Sequence, residues 1–110
     1  MDDGLTFRLD PAPTFAWPVG LTAPGGQKHV LELVYRYKTR KEAAAWRKKA
    51  VDAPNGDEAA LLLEVVDGWS NCDEPFSPAA FTRLLNAWHG AAEEIFVAYF
   101  EGLRGARAGN

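Results

Sequence analysis

The chain carries one cysteine, Cys72. A lone thiol cannot close an internal disulfide, which favours a reducing, intracellular setting. No run approaches the roughly 18 apolar residues that a membrane span requires. Asp2 and Asp3 stand where a secretory leader would be basic. The expectation is a cytoplasmic protein without a membrane partner. Histidine is also scarce: His29 and His89 are the whole set. One cysteine and two separated histidines lack the spacing of a zinc site. Cys72 with His29 or His89 is the only possible thiol pair, and Asp73 and Glu74 beside it disfavour the thiolate that a nucleophile must become. Asp67, or Asp73 with Glu74, reads as loop carboxylate rather than an acid–base pair. Pro24-Gly25-Gly26 has neither the lysine nor the following helix of a phosphate-binding loop. These shortages predict no catalytic residue, no metal and no cofactor.

Charge is abundant but segregated. From Arg36 to Lys49 there are seven cations against one anion, Glu42. From Asp52 to Glu94 there are nine anions against one cation, Arg83. One side of the molecule is therefore expected to be basic and another acidic, as solvated faces or as partner surfaces. Apolar residues make up 47% of the 110, enough for a core without disulfides or metal. One domain is expected over 1–110, with a β-hairpin region at 1–38, helices at 39–104 and a flexible tail at 105–110.

Periodicity divides the chain. Leu5, Phe7 and Leu9 alternate with polar residues and permit a short strand before Pro11 and Pro13. Phe15, Trp17, Val19 and Leu21 alternate again, and Pro18 restricts that strand to an edge. Residues 22–27 form a turn by composition, and 28–38 is the best strand, with His29, Leu31, Leu33, Tyr35 and Tyr37 on one face. Thr39 and Glu42 fit a capping box for a first helix over 40–52. Its apolar face is thin (Ala43, Trp46, Ala50), and its basic residues face water or a partner. A second helix is predicted over 58–69, capped by Asp57, with Leu61, Leu62, Val65, Val66 and Trp69 as its stripe. Ser77-Pro78 starts a third helix carrying Phe81, Leu84, Leu85 and Trp88. After a break at Gly90, a fourth carries Ile95, Phe96, Tyr99, Phe100 and Leu103 and stops at Gly105. The predicted fold class is α+β, an antiparallel hairpin or small sheet followed by about four α-helices.

Large side chains occupy more than one face of the last two helices. Phe96 and Phe100 share one stripe, and Tyr99 and Leu103 an adjoining one. Trp88, Phe96, Tyr99 and Phe100 are therefore the candidate partner-binding residues, set around an apolar groove with acidic surroundings.

A colinear series of residues resembles the small tail-assembly chaperones of long-tailed phages and prophages. It runs from Phe7-Arg8-Leu9-Asp10-Pro11-Ala12-Pro13-Thr14-Phe15 through Tyr37-Lys38-Thr39-Arg40 to Val65-Val66-Asp67-Gly68-Trp69. Beyond these come Asp73, Phe76, Leu84-Leu85, Gly90-Ala91-Ala92, Ile95-Phe96, Ala98-Tyr99, Leu103, Gly105-Ala106-Arg107 and Gly109-Asn110. One departure is Trp88-His89, where the family usually has a tyrosine-proline pair before the glycine-alanine corner. The aromatic anchor is kept and the corner is loosened. The resemblance implies a non-catalytic protein that binds the tape-measure protein, and by extension meets the tail-tube protein, before the tube polymerises. It also implies absence from the mature virion; weak self-association is a further expectation, tied to the aromatic groove. Two readings from other classes compete: a prophage-encoded regulator using the basic helix 40–49 on nucleic acid, and a structural component that stays in the tail.

Overall fold

The computed structural model describes residues 6–54 and 56–106. Two long strands open it, β1 (Thr14–Thr22) and β2 (Lys28–Arg36). They pair antiparallel from Thr14 opposite Arg36 to Thr22 opposite Lys28. The turn between them closes through Ala23 and Gln27, and Gly25 and Gly26 take φ of 96° and 102°. Only glycine accepts such angles without strain, so this motif serves the hairpin. β1 lies at the edge of the sheet, where Pro18 forfeits no interior ladder bond.

Helix α1 (Arg40–Asp52) begins as its sequence requires. Thr39 Oγ1 accepts from the Glu42 amide at 3.1 Å, and the Glu42 carboxylate accepts from the Thr39 amide at 3.0 Å. The next segment departs from expectation. Helix α2 is only Glu58–Leu62, and Asp57 makes no side-chain cap. Val66–Trp69 is instead a strand, β3, pairing antiparallel with β2 in the order β1-β2-β3. The stripe at 61–69 is apolar in either conformation, so periodicity could not decide. The adjacent valines and Gly68 weaken a helix here, while β2 offers an open edge. Arg36 secures the change of direction by donating to the Leu63 carbonyl at 2.9 Å and to Asp67 at 2.7 Å. Asn71 then extends the sheet with its side chain: its amide oxygen accepts from Glu32 N, and its amide nitrogen donates to the Val30 carbonyl.

Helices α3 (Pro78–Ala87) and α4 (Ala91–Arg104) complete the chain. Ser77 caps α3 by accepting from Ala80 N at 3.0 Å. Gly105 ends α4 at φ 68°. The strand permitted over 5–9 is not present in its described part: residues 6–9 are unpaired, and Phe7 and Leu9 are 88% and 85% exposed. Leu5 lies outside the described residues, as does the predicted tail beyond Ala106.

One cluster of buried residues joins sheet and helices. Val19, Leu31, Leu33 and Tyr35 face Val65, Phe81, Ile95 and Tyr99 across it. Two tyrosines fasten it reciprocally. Tyr35 of β2 donates to the Ile95 carbonyl of α4 at 2.9 Å, and Tyr99 of α4 donates to the Arg36 carbonyl of β2 at 2.8 Å. Burial pushes both phenols up, Tyr99 to about 12 and Tyr35 further, so both remain donors.

Candidate functional site

The four aromatic candidates do not converge on one groove. Tyr99 is fully buried in the core, its ring stacked on Phe15 at 6.3 Å and tilted against Tyr35 at 5.1 Å. Trp88 is half-buried at the far end of the sheet, edge-on to His29 at 5.6 Å. Phe96 and Phe100, one helical turn apart, stand together on the outer side of α4 at 5.3 Å. Both rest against Trp46 of α1, at 5.5 and 6.0 Å. Trp46 is itself buried and donates to the Leu61 carbonyl, so it forms a fixed floor. Both phenylalanines keep part of their rings open.

Helix α1 stands as a ridge between two clefts. The larger, about 910 Å³, lies between α1 and the C-terminal half of α4 and is lined by Ala43, Ala44, Val51, Phe100 and Leu103 among others. The smaller, about 350 Å³, lies between α1, α2 and α4 and includes Phe96, Ala92, Leu61 and His89. Val51 borders both and is 68% exposed. The stripe responsible is visible in α1. Positions 43, 46 and 50 turn to the core, while 40, 44, 47, 48 and 51 recur at helical spacing toward the larger cleft. That stripe mixes alanine and valine with cations, so hydropathy alone does not pick it out.

The electrostatic setting differs between the two clefts: the smaller, with Phe96, is bordered by Glu58 and Glu93, as expected, and the larger is not. The larger cleft is bordered by Lys38, Arg40, Arg47, Lys48 and Arg104 against one carboxylate, Asp52. Asp52 is paired to Lys48 at 3.1 Å. The Arg47 guanidinium lies over the Phe100 ring at 5.5 Å. The cleft that holds Phe100 is thus framed by positive charge, not by the acidic skin expected around the last two helices. The acidic residues of 52–94 are partly spent on structure: Asp67 on Arg36, Glu64 on Lys49 and Glu74 on Arg83.

Two residues that position α4 escaped the sequence reading. Glu94 accepts from the Thr22 amide at 3.1 Å and the Thr22 hydroxyl at 2.6 Å, tying the start of α4 to the end of β1. Gly102 lets β1 press on the helix: a Cβ there would sit 2.7 Å from Phe15 Cε2 and 3.1 Å from Trp17 Cγ. A glycine within a helix, two residues before its end, was the available signal.

Elsewhere the side chains offer little chemistry. The Cys72 thiol lies 3.7 Å from Asp73 Oδ1, and no histidine bonds to it among the described residues. Among those residues no group of three His, Cys, Asp or Glu could hold a metal. Among the described residues no helix is long and apolar enough to cross a membrane.

The arrangement is a small α+β scaffold with apolar and aromatic area left partly open on both sides of α1, framed by cations on one of them. A family model described as phage tail assembly chaperone matches residues 4–110, nearly the whole chain, and the chain belongs to that family. Neither the curated proteins nor the solved structures include a match to it.

Proposed function

We propose that this chaperone binds the tape-measure protein of its phage during tail morphogenesis, without catalysis, in the host cytoplasm, and is absent from the finished virion. The observation that supports this most is the pair Phe96 and Phe100, held half-open on the outer side of α4 beside an exposed valine ridge. A tape-measure protein is a long helical chain with apolar faces that stay uncovered until the tube closes around it. Partly open aromatic rings bordering the helix-lined clefts on either side of α1 match that need, since an amphipathic helix buries its apolar face in such grooves. Trp88 belongs to a separate patch and Tyr99 to the core, so the partner-binding set contracts to Phe96 and Phe100 with Val51 added. Weak self-association through the same ridge belongs to this reading, because apolar area shown to a partner is also shown to a second copy.

Co-expression with the tape-measure protein, followed by capture through a tag on the chaperone, tests it. Phe100→Ala should weaken capture at least tenfold, about 1.4 kcal/mol. Because Phe100 also leans on Trp46, Val51→Asp serves as the second variant: it should weaken capture while leaving the melting temperature near wild type. Undiminished capture by both variants would sink the proposal and send the search to Trp88 and the hairpin.

A further inference from the structure

The larger cleft combines an apolar floor with a charged rim. Its floor is Ala43, Ala44, Val51, Phe100 and Leu103, side chains suited to leucine-like neighbours. Its rim carries five cations and a single, already paired, carboxylate. Among the described residues, none of Lys38, Arg40, Arg47 or Arg104 has an ion-pair partner. Lys28, Arg36, Lys49 and Arg83, by contrast, all have one. Of the six lysines and arginines without an ion pair among the described residues, four thus border this cleft; Arg8 and Lys41 lie outside it.

We infer that the cleft between α1 and α4 takes an amphipathic helix whose apolar face is flanked by glutamate and aspartate. The geometry favours a helix over a strand. Two helix surfaces form the walls, so a third helix completes a ridge-and-groove packing, and α1, with 13 residues, offers about 20 Å of wall. Strand addition is less suited to the free edge of β1, where Pro18 removes a donor. The floor favours protein over nucleic acid. Stacking platforms for bases are exposed aromatic rings, whereas here Phe100 is only partly open, with the Arg47 guanidinium over its ring, and the rest of the floor is aliphatic apart from Tyr37. Acidic flanks also account for economy of charge. Carboxylates on the guest would neutralise a cluster that otherwise repels itself on a short helix, and rim charges of this kind steer association and fix the choice of partner. On the tape-measure reading, on which this inference rests, the captured segments are the acid-flanked helices of that protein.

The test uses the purified full chain and two synthetic helical peptides of about 14 residues, the length α1 can line. They share one leucine face and differ in having glutamate or lysine on the flanks. Fluorescence anisotropy of the labelled peptides should show the glutamate form binding at least tenfold more tightly. That preference should shrink as salt rises from about 50 to about 300 mM. Arg40→Glu with Arg47→Glu should abolish or reverse it, and Val51→Asp should weaken both peptides. Equal or tighter binding of the lysine peptide overturns the inference, as does displacement of the glutamate peptide by a short oligothymidine. So does a preference that survives the charge reversal in a chain whose melting curve is unchanged. These readouts are independent of tape-measure capture. A chain that discriminates the peptides yet captures no tape-measure protein would refute the assigned partner and leave the cleft's specificity standing.

Discussion

Helix α4 has two working sides that behave differently. One side, Ala91, Ile95, Ala98 and Tyr99, is sealed against the sheet and holds no charge. The other, Phe96, Phe100 and Leu103, is half-open and meets cations from α1. Both sides carry aromatic rings, one on the first and two on the second, yet only the first is closed by β-strands. A wide apolar arc on a helix is therefore not in itself a sign of burial or of binding. What covers it decides, and here the sheet covers one half while the thin, alanine-rich α1 covers part of the other. Substitutions on the sealed side should change stability, and substitutions on the open side should change binding.

The largest effect belongs to the sealed side. Ile95→Ala removes a fully buried side chain and should cost about 3 kcal/mol in denaturant unfolding. Val51→Ala, on the exposed ridge, should stay within about 0.5 kcal/mol of wild type. Similar losses from the two would erase the distinction between the sides.

Gly102 sharpens the comparison because two principles give it opposite signs. On helix propensity alone, Gly102→Ala should stabilise by about 1 kcal/mol. The Cβ would however meet Phe15 at 2.7 Å, and overpacking of this kind costs about 1 to 3 kcal/mol. The expected outcome is a net loss of about 1 kcal/mol, with the Trp17 fluorescence environment altered. A gain in stability would show that β1 does not press on α4 as closely as described.

The sequence disclosed the parts of this arrangement that depend on local chemistry. Thr39 and Glu42, Ser77 and Pro78, and Gly105 mark helix ends through bonds to nearby backbone, and each helix end stands where those residues put it. The hairpin was legible because Pro24-Gly25-Gly26 separates two alternating runs. What remained hidden depends on contacts distant in sequence. Val66–Trp69 is a strand because β2 presents an edge about 30 residues earlier, and Val65-Val66-Asp67-Gly68-Trp69 carries no trace of that edge. Tyr99 looked like a groove residue because its place in the core depends on Tyr35 and Arg36. The basic cleft was half visible: seven cations in 36–49 were plain, but only the packing of α1 on α4 shows which of them border Phe100.

The smallest expected effect concerns the junction where α4 leaves the open side and meets β1. Burial pushes the Glu94 carboxyl up, but hydrogen bonds from the Thr22 hydroxyl and amide, together with Lys28, outweigh it and hold the group below its ordinary value. A carboxylate with a depressed folded value contributes stability that is complete above the unfolded value. That stability is lost as the pH falls through the folded one. The contribution of Glu94 should therefore be full at neutral pH and fade below about pH 4.3, the ordinary glutamate range. Glu94→Gln keeps the shape but leaves one oxygen to accept where two accept now, and it ends the attraction of Lys28. The site is partly open to solvent, so a loss of about 1 kcal/mol at pH 7 is expected, at the low end for bonds to a charged acceptor. Urea unfolding of wild type and variant from neutral pH down to about pH 3 should show the two curves converging as Glu94 is protonated. A constant gap over that range would mean that Glu94 acts by shape alone. A gap that widened on acidification would reverse the sign, and would place the anchoring of α4 in the Tyr35 and Tyr99 bonds rather than at its acidic N-terminus.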